Sequence, residues 1–378
     1  MQLKAHHLSY CTNVHPAETF AELITTLESH VVAVKSKVSP QHPFGVGLRL
    51  SAKMVMSMDE RQLNQLIQTL NTNQLYVFSV NGFPYGDFNT GVVKTDVYSP
   101  GWHDRRRVEY TKRITDILCQ LPGPLRRTIS TVALGYKPIY GDSAVLEKAV
   151  KNLRETMTYL NEKKEESGVH VELCLEPEPG TYLERSEDVI SFFSTHGFTS
   201  SDVCNQHLSL CYDTCHQAVM FENAVSSMRA LRDAGVRIGK MQISNAIILN
   251  QPSSEIHRSA LQSFAEPRFL HQVVGKKDDL FAMDLDDVAA PTETWTNAEE
   301  WRCHFHVPLH WQGNEYLSAT TQDWQTALQF AVETELCTQY EIETYTWHVL
   351  PPDEFDASNI ATCVTAEFEA VLPFFLSA

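Results

Sequence analysis

"LSLCYDTCHQAVMFE", residues 208–222, changes its structural character at its centre. Residues 208–212 form a short apolar run of the kind that makes a buried strand. From Gln217 onward, Val219 and Met220 followed by Ala224 and Val225 keep helical spacing. Asp213 and His216 stand at the join, three residues apart. The stretch therefore reads as one strand-to-helix unit with an acid and an imidazole at the carboxyl end of its strand.

Seven further segments repeat this pattern. "LSYCTNVH" (8–15), "FGVGLRLS" (44–51), "QLYVFSVNG" (74–82), "TISTVAL" (128–134) and "VHVELCLEP" (169–177) precede it, and "VRIGKMQIS" (236–244) and "QYEIETYTW" (339–347) follow it. Helical patterns such as "DERQLNQLIQTLN" and "SAVLEKAVKNLRETMTYLNEKK" lie between them. Strands alternating with helices imply a parallel sheet, and eight such units match a (β/α)8 TIM barrel. The competing doubly wound sheet lacks support, since no glycine-rich GxGxxG turn follows the first strand. The expectation is one α/β TIM-barrel domain over 1–378, enlarged by insertions at about 82–104 and 245–335. The second insertion is too long for a structureless loop in a compact domain and is expected to form a lid or subdomain.

The bulk properties narrow the partners. The 378 residues carry a formal net charge of -17, which repels phosphate backbones and anionic lipid. Nucleic acid is not expected as a partner, and the run Arg105–Arg107 with Lys112 and Arg113 reads as a solvated helix face. The nine cysteines are scattered without a CxxC pair, which fits reduced thiols in a cytoplasmic protein. No signal-peptide pattern opens the chain, and no run approaches the ~20 apolar residues of a membrane span, so membrane insertion is not expected. The apolar tail "AVLPFFLSA" reads as a packed terminal segment.

Active sites of such barrels lie at the carboxyl ends of the strands. Those ends carry Glu176 on the fifth strand, Asp213 with His216 on the sixth, Gln242 on the seventh and Glu343 on the eighth. The second insertion adds "WRCHFHVPLHW", in which His304 and His306 alternate with Cys303, Phe305 and Val307, as in a strand with one imidazole face and one apolar face. Carboxylates and imidazoles converging at one mouth suit a divalent metal, Mn²⁺ or Zn²⁺ first and Fe²⁺ as a further option. Each residue also has a plainer use. Asp213 could be a helix N-cap, His216 a first-turn histidine, and Glu176 the partner of an arginine. Glu178 and Glu184 could be loop acids, and His304, His306 and His310 solvated residues of a surface hairpin.

The order Glu176, Asp213-x-x-His216, Gln242, His304-x-His306, Glu343 resembles the xylose isomerase-like superfamily of sugar isomerases, epimerases and endonuclease IV enzymes. The blocks "NGFPYGDFN", "LCLEPEPGTYLE", "CYDTCHQAVMFE", "KMQISNA", "EPRFLHQ", "HFHVPL" and "EIETYTW" are similar to the EboE family, called metabolite traffic proteins for their association with export of a secondary-metabolite precursor. The resemblance implies that Glu176, Asp213 and Glu343 are metal carboxylates. Gln242 stands where the epimerases have a fourth ligand histidine. Two further histidines of the endonucleases are replaced here by "VNGF" and "ALGY", and His304 replaces an aspartate. These departures favour one ion, with two as the upper bound.

The expected function is that of a metal-dependent isomerase or epimerase acting on a sugar- or cyclitol-like metabolite. Glu176 and Glu343 would carry the proton transfers. His15, Asn81, Lys240 and Trp347 are candidate substrate contacts, each with a structural role as its alternative, and Phe83, Trp102 and Trp347 are candidates for an apolar wall. Metal-dependent phosphoester hydrolysis in the manner of endonuclease IV is one alternative, and a non-enzymatic metabolite carrier is another.

Overall fold

The computed structural model describes residues 1–277, 280–353 and 355–376. Eight parallel strands form the barrel: His6–Tyr10, Phe44–Arg49, Leu75–Asn81, Arg126–Val132, His170–Glu176, Leu208–Asp213, Ile238–Ile243 and Gln339–Ile342. All eight expected segments are strands. They pair in sequence order from the second to the eighth, and the eighth pairs with the first. The remaining seam, between the first and second strands, is crossed by a bridge from Cys11 to Gly47 and by Arg49 N–H donating to Thr12 Oγ1 at 2.9 Å. A short strand, Gln2–Leu3, pairs antiparallel with the first barrel strand.

Local chemistry sets the helix starts. Thr19 with Glu22, and Asp59 with Gln62, form capping boxes at Phe20–Thr25 and Glu60–Thr72. The long helix Ser143–Ser167 starts on an Asp142 N-cap and stops at Gly168, whose φ of 75° suits glycine. The tail packs as the helix Ile360–Leu376, with Phe375 buried against Tyr340 and His6.

The barrel interior is polar in its middle layer. Lys240 Nζ donates to Glu341 Oε1 at 2.7 Å and to Ser130 Oγ at 3.3 Å, and both ionised groups are fully buried. Gly47, one of two glycines that interrupt the second strand, belongs to this layer. A side chain at Gly47 would overlap the Glu341 carboxylate, so the strand leaves room for an interior ion pair.

Both insertions are structured. In the helix Arg105–Leu118, just after the first, Arg107 is not part of a solvated face as its run suggested. It is fully buried and donates to the carbonyls of Pro100 at 2.8 Å, Gly82 at 2.7 Å and Phe83 at 3.0 Å, fastening the loop that follows the third strand. Burial lowers its pKa to about 10. Arg105 and Arg106 are exposed and pair with Glu109, Glu155 and Asp104. The second insertion contains a five-stranded antiparallel sheet, in the order Leu280–Ala282, Val273–Gly275, Trp301–Val307, Asn245–Leu249, Ser318–Ala319. Ser244 alone separates the seventh barrel strand from the first strand of this sheet.

All nine cysteines are unpaired. Among the described residues, no helix is long and apolar enough to cross a membrane.

Candidate metal centre at the barrel mouth

Asp213 ends the sixth strand and caps the helix Thr214–Val219. Its Oδ1 accepts from the N–H of Cys215 at 2.8 Å, the N–H of His216 at 3.1 Å and the Ser244 hydroxyl at 2.6 Å. Its Oδ2 is buried and has no hydrogen-bond partner. One oxygen thus does the capping, and the other is left for something else. Burial pushes the Asp213 pKa up, but His216, His306 and the donors on Oδ1 outweigh it and hold the group below its usual value.

Two further carboxylates meet it. Ligand-capable oxygens of Glu176, Asp213 and Glu343 lie within 4.8 Å of one another. Glu176 Oε2 is a second buried carboxylate oxygen without a partner. Burial, reinforced by Asp213, raises the Glu176 pKa to about 8 against the pull of His216. Glu343 is held by three amides: Asn13 and Asn81 each donate to Oε1 at 2.8 Å, and Gln242 Nε2 donates to Oε2. Burial, with Glu176 and Asp213 close by, still pushes Glu343 well above the usual range.

Gln242 departs from the reading of it as a ligand. Its nitrogen faces Glu343, and its carbonyl oxygen accepts from the Cys211 thiol at 2.7 Å. The lone pairs a cation would need are turned away from the cluster, and the amide organises Glu343.

The imidazoles arrive from two elements. His216 sits in the first turn after Asp213, and its Nδ1 donates to the Pro177 carbonyl at 3.0 Å. His304 and His306 come from the insertion strand Trp301–Val307, which is buried on both faces rather than forming a solvated hairpin. Its pairing with Asn245–Leu249 shifts register between Cys303 and Val307, so a bulge falls on the histidines and turns them toward the mouth. Phe305 points the other way, stacked on His271 with ring centres 4.3 Å apart.

His306 Nδ1 donates to the Glu343 carbonyl at 2.6 Å, and His304 Nδ1 to Gln272 Oε1 at 2.6 Å. The Gln272 orientation is fixed because its nitrogen donates to the Pro179 carbonyl, Glu178 Oε1 and Tyr98 Oη. Burial lowers the His306 pKa to about 4 and holds His304 well below its ordinary value, so both rings are neutral near pH 7. His216 is the exception. Burial would lower its pKa, but Asp213, Glu178 and Glu176 outweigh it and raise it.

Among the described residues, three overlapping groups could hold a metal ion: Glu176, Asp213 and Glu343; Asp213, His216 and His306; and Cys215, His304 and His306. The donor chemistry fits a divalent cation. The cluster has orphaned carboxylate oxygens, and the imidazoles have their Nδ1 hydrogens tied to carbonyls or an amide so that Nε2 keeps its lone pair, as in metal-binding histidines.

The remaining sequence candidates divide. Asn81 and Phe83 line the cavity above the cluster. Lys240 lies beneath it, paired with Glu341. His15 stacks on His30 with centres 4.6 Å apart and bonds the Tyr10 hydroxyl. Trp347 faces His310, and Trp102 is fully buried elsewhere in the core. None of these four lines the cavity. Asn13, Phe88, Phe269 and Tyr345 also line it, and so does Glu178, which the sequence pattern presents as a loop acid. Glu178 is two residues past Glu176, the strand-end spacing that could have marked it; it is buried and faces His304 Nδ1 at 3.6 Å.

The chain is an eight-stranded parallel TIM barrel, and proteins described as xylose isomerase-like TIM barrels or as sugar epimerases share its fold. A xylose isomerase-like TIM barrel protein from Mycobacterium smegmatis, solved in complex with magnesium, matches with a TM-score of 0.57 at 10% identity, over 100% of this chain and 99% of that one. L-ribulose 3-epimerase matches with a TM-score of 0.53 at 13% identity, over 98% and 96%. The probable 3-DHS dehydratase AsbF of Bacillus anthracis, involved in petrobactin synthesis, matches with a TM-score of 0.52 at 14% identity, over 97% and 98%. At these identities the likeness is one of fold. No protein-family model matches the chain, and no curated protein does.

Proposed function

We propose that the protein is a metal-dependent enzyme that moves a proton next to a carbonyl in a sugar- or cyclitol-like small molecule, as an isomerase or epimerase does. The carrying observation is the pair of buried, partnerless carboxylate oxygens at the mouth, Glu176 Oε2 and Asp213 Oδ2, beside two imidazoles, His304 and His306, whose Nε2 atoms meet only each other, 3.1 Å apart. Glu176, Asp213, Glu343, His216, His304 and His306 are the ligand candidates, and Mn²⁺ or Zn²⁺ suits this mixed oxygen and nitrogen set best. A divalent ion bound there supplies a Lewis acid for two adjacent oxygens of a hydroxy-ketone.

The chain's own residues then divide the work. Glu176, whose Oε2 has no hydrogen-bond partner, takes the proton in its carboxylate form. Glu343, steadied by Asn13, Asn81 and Gln242, delivers a proton of its own in exchange, and solvent resets the two carboxyls. The apolar cavity wall excludes water from the exchange. The sequence blocks similar to the EboE family extend this reading to the processing or export of a secondary-metabolite precursor, and we place the protein in the cytoplasm.

Incubating metal-loaded protein with a panel of keto-cyclitols and ketoses, free and carrying an apolar substituent, in D₂O tests the reading. Deuterium should enter the carbon next to the carbonyl with wild type and not with Glu176→Gln. Binding without deuterium incorporation would favour a carrier, and cleavage of abasic-site duplex would favour phosphoester hydrolysis.

A further inference from the structure

The cavity changes character a short distance above its polar floor. Phe88 from the first insertion, Phe269 from the second and Tyr345 from the segment after the eighth strand meet in one cluster. Their ring centres are 4.8 Å apart for Phe88–Phe269, 5.1 Å for Phe88–Tyr345 and 5.0 Å for Phe269–Tyr345. Val93 and Val97 extend the same apolar surface, and this cluster is separate from the main core. Tyr345 also faces the His306 ring at 4.7 Å, so the apolar wall begins directly above the imidazoles.

The charges around the cavity are one-sided. Glu176, Glu178 and Glu343 line it, and Lys94 is the one cationic side chain of a lysine or arginine among the described lining residues. Lys94 Nζ is already bound by Asp284 Oδ2 at 2.5 Å and by the Glu266 carbonyl at 3.1 Å. Phosphates and carboxylates are normally held by arginine forks or by free backbone N–H groups at a helix start. This wall offers no arginine. A free sugar would turn its distal hydroxyls against the Phe88 and Phe269 rings, which cannot hydrogen-bond them, and polar groups buried without partners are costly.

We infer that the cavity takes an uncharged, amphipathic molecule, with two adjacent oxygens at one end and an apolar ring or short alkyl group at the other. The oxygens meet the floor of Glu176, Glu343 and the histidines, and the apolar group packs against Phe88, Phe269 and Tyr345. This rests on the proposed metal centre and adds the substrate class: neither a phosphosugar nor an unsubstituted sugar.

Acetohydroxamate and benzohydroxamate separate the two ideas, because they present the same chelating oxygen pair and differ by a methyl against a phenyl group. Calorimetric titration of Zn²⁺-loaded, dialysed protein should give benzohydroxamate at least about a tenfold advantage, the scale expected for burying a ring. An anionic 4-carboxybenzohydroxamate should lose that advantage. Phe269→Ala and Phe88→Ala should each reduce the ratio severalfold, and Phe269→Leu, which keeps the wall apolar, should preserve most of it. Equal affinity for the two hydroxamates in wild type, or preference for the carboxylated probe, overturns the substrate class while leaving the metal centre standing. Failure of the dialysed protein to retain Zn²⁺ overturns the metal centre, and this inference with it.

Discussion

His304 and His306 face each other through their Nε2 atoms, 3.1 Å apart, with both Nδ1 hydrogens committed to acceptors. Two neutral imidazoles in that state present lone pair to lone pair. Only a shared proton or a cation turns the contact into an attraction, and burial works against the proton. His304→Ala and His306→Ala should therefore each weaken divalent-metal binding at least about tenfold, measured by competition with a chromophoric chelator. Unchanged affinity in both variants would remove the imidazoles from the ligand set.

Gln272 supports His304 without belonging to the cluster. Its carbonyl oxygen holds the His304 Nδ1 hydrogen, while its nitrogen is anchored by Glu178, Tyr98 and the Pro179 carbonyl. Gln272→Met keeps the volume and releases the ring. Such supporting contacts are worth about 10–100-fold in metal affinity, so a loss in that range is expected with little change in the far-ultraviolet circular dichroism spectrum.

The two oxygens of Asp213 have separable jobs. Asn caps helices about as well as Asp, so Asp213→Asn should keep the helix start and lose the negative oxygen now without a partner. Its melting temperature should stay near that of the metal-free wild type while metal content falls. Asp213→Ala loses the cap as well, and about 0.5–2 kcal/mol of stability should go with it. Equal metal content in wild type and Asp213→Asn would rule the carboxylate out.

Glu367, in the C-terminal helix, is a buried acid outside the cluster. It accepts from the Thr344 hydroxyl at 2.5 Å and the Leu309 N–H at 3.4 Å, and burial raises its pKa to about 8. The folded state keeps this proton more tightly than the unfolded state does. Its contribution is complete below about pH 4.5 and is lost as pH rises through about 8. Glu367→Gln should flatten the alkaline decline in stability, by on the order of 4 kcal/mol at most near pH 9. Parallel urea melts of the two proteins from pH 5 to pH 9 check the sign.

Gly47 gives a packing prediction. Its missing side chain leaves room for the Glu341 carboxylate that pairs with Lys240. Gly47→Ala should displace that carboxylate and cost about 1–3 kcal/mol or more, the range for overpacked cores, since a buried ion pair is disturbed as well. Chemical denaturation at neutral pH would measure it, and a loss below 0.5 kcal/mol would show that the interior accommodates the methyl group.

The strands and the acids at their ends were legible because both follow from local pattern: apolar runs of strand length, and polar residues where those runs stop. Lys240 shows where this reading ends. It points inward like Gln242, but alternation along a strand says nothing of height in the barrel, and Lys240 sits one layer below the mouth with Glu341. Gln242 reached the right place with the opposite end of its amide forward, which depends on Cys211 and Glu343 and not on its own strand. His15 and Trp347 lie past strand ends, in 3-10 turns and loops whose direction no periodicity fixes. Asn13, Gln272 and the ring cluster were hidden for a related reason, since each gains its role from partners far away in the chain.

Ser244 sets the timetable of synthesis. Because it joins the seventh barrel strand directly to the insertion sheet, a chain leaving the ribosome makes seven staves of the barrel and then the whole insertion before the eighth stave appears. His304 and His306 are therefore already made when Glu343 emerges, one residue beyond the strand that completes the barrel. No nascent chain shorter than that owns the full cluster, so the last acid of the centre and the last stave of the barrel are delivered together.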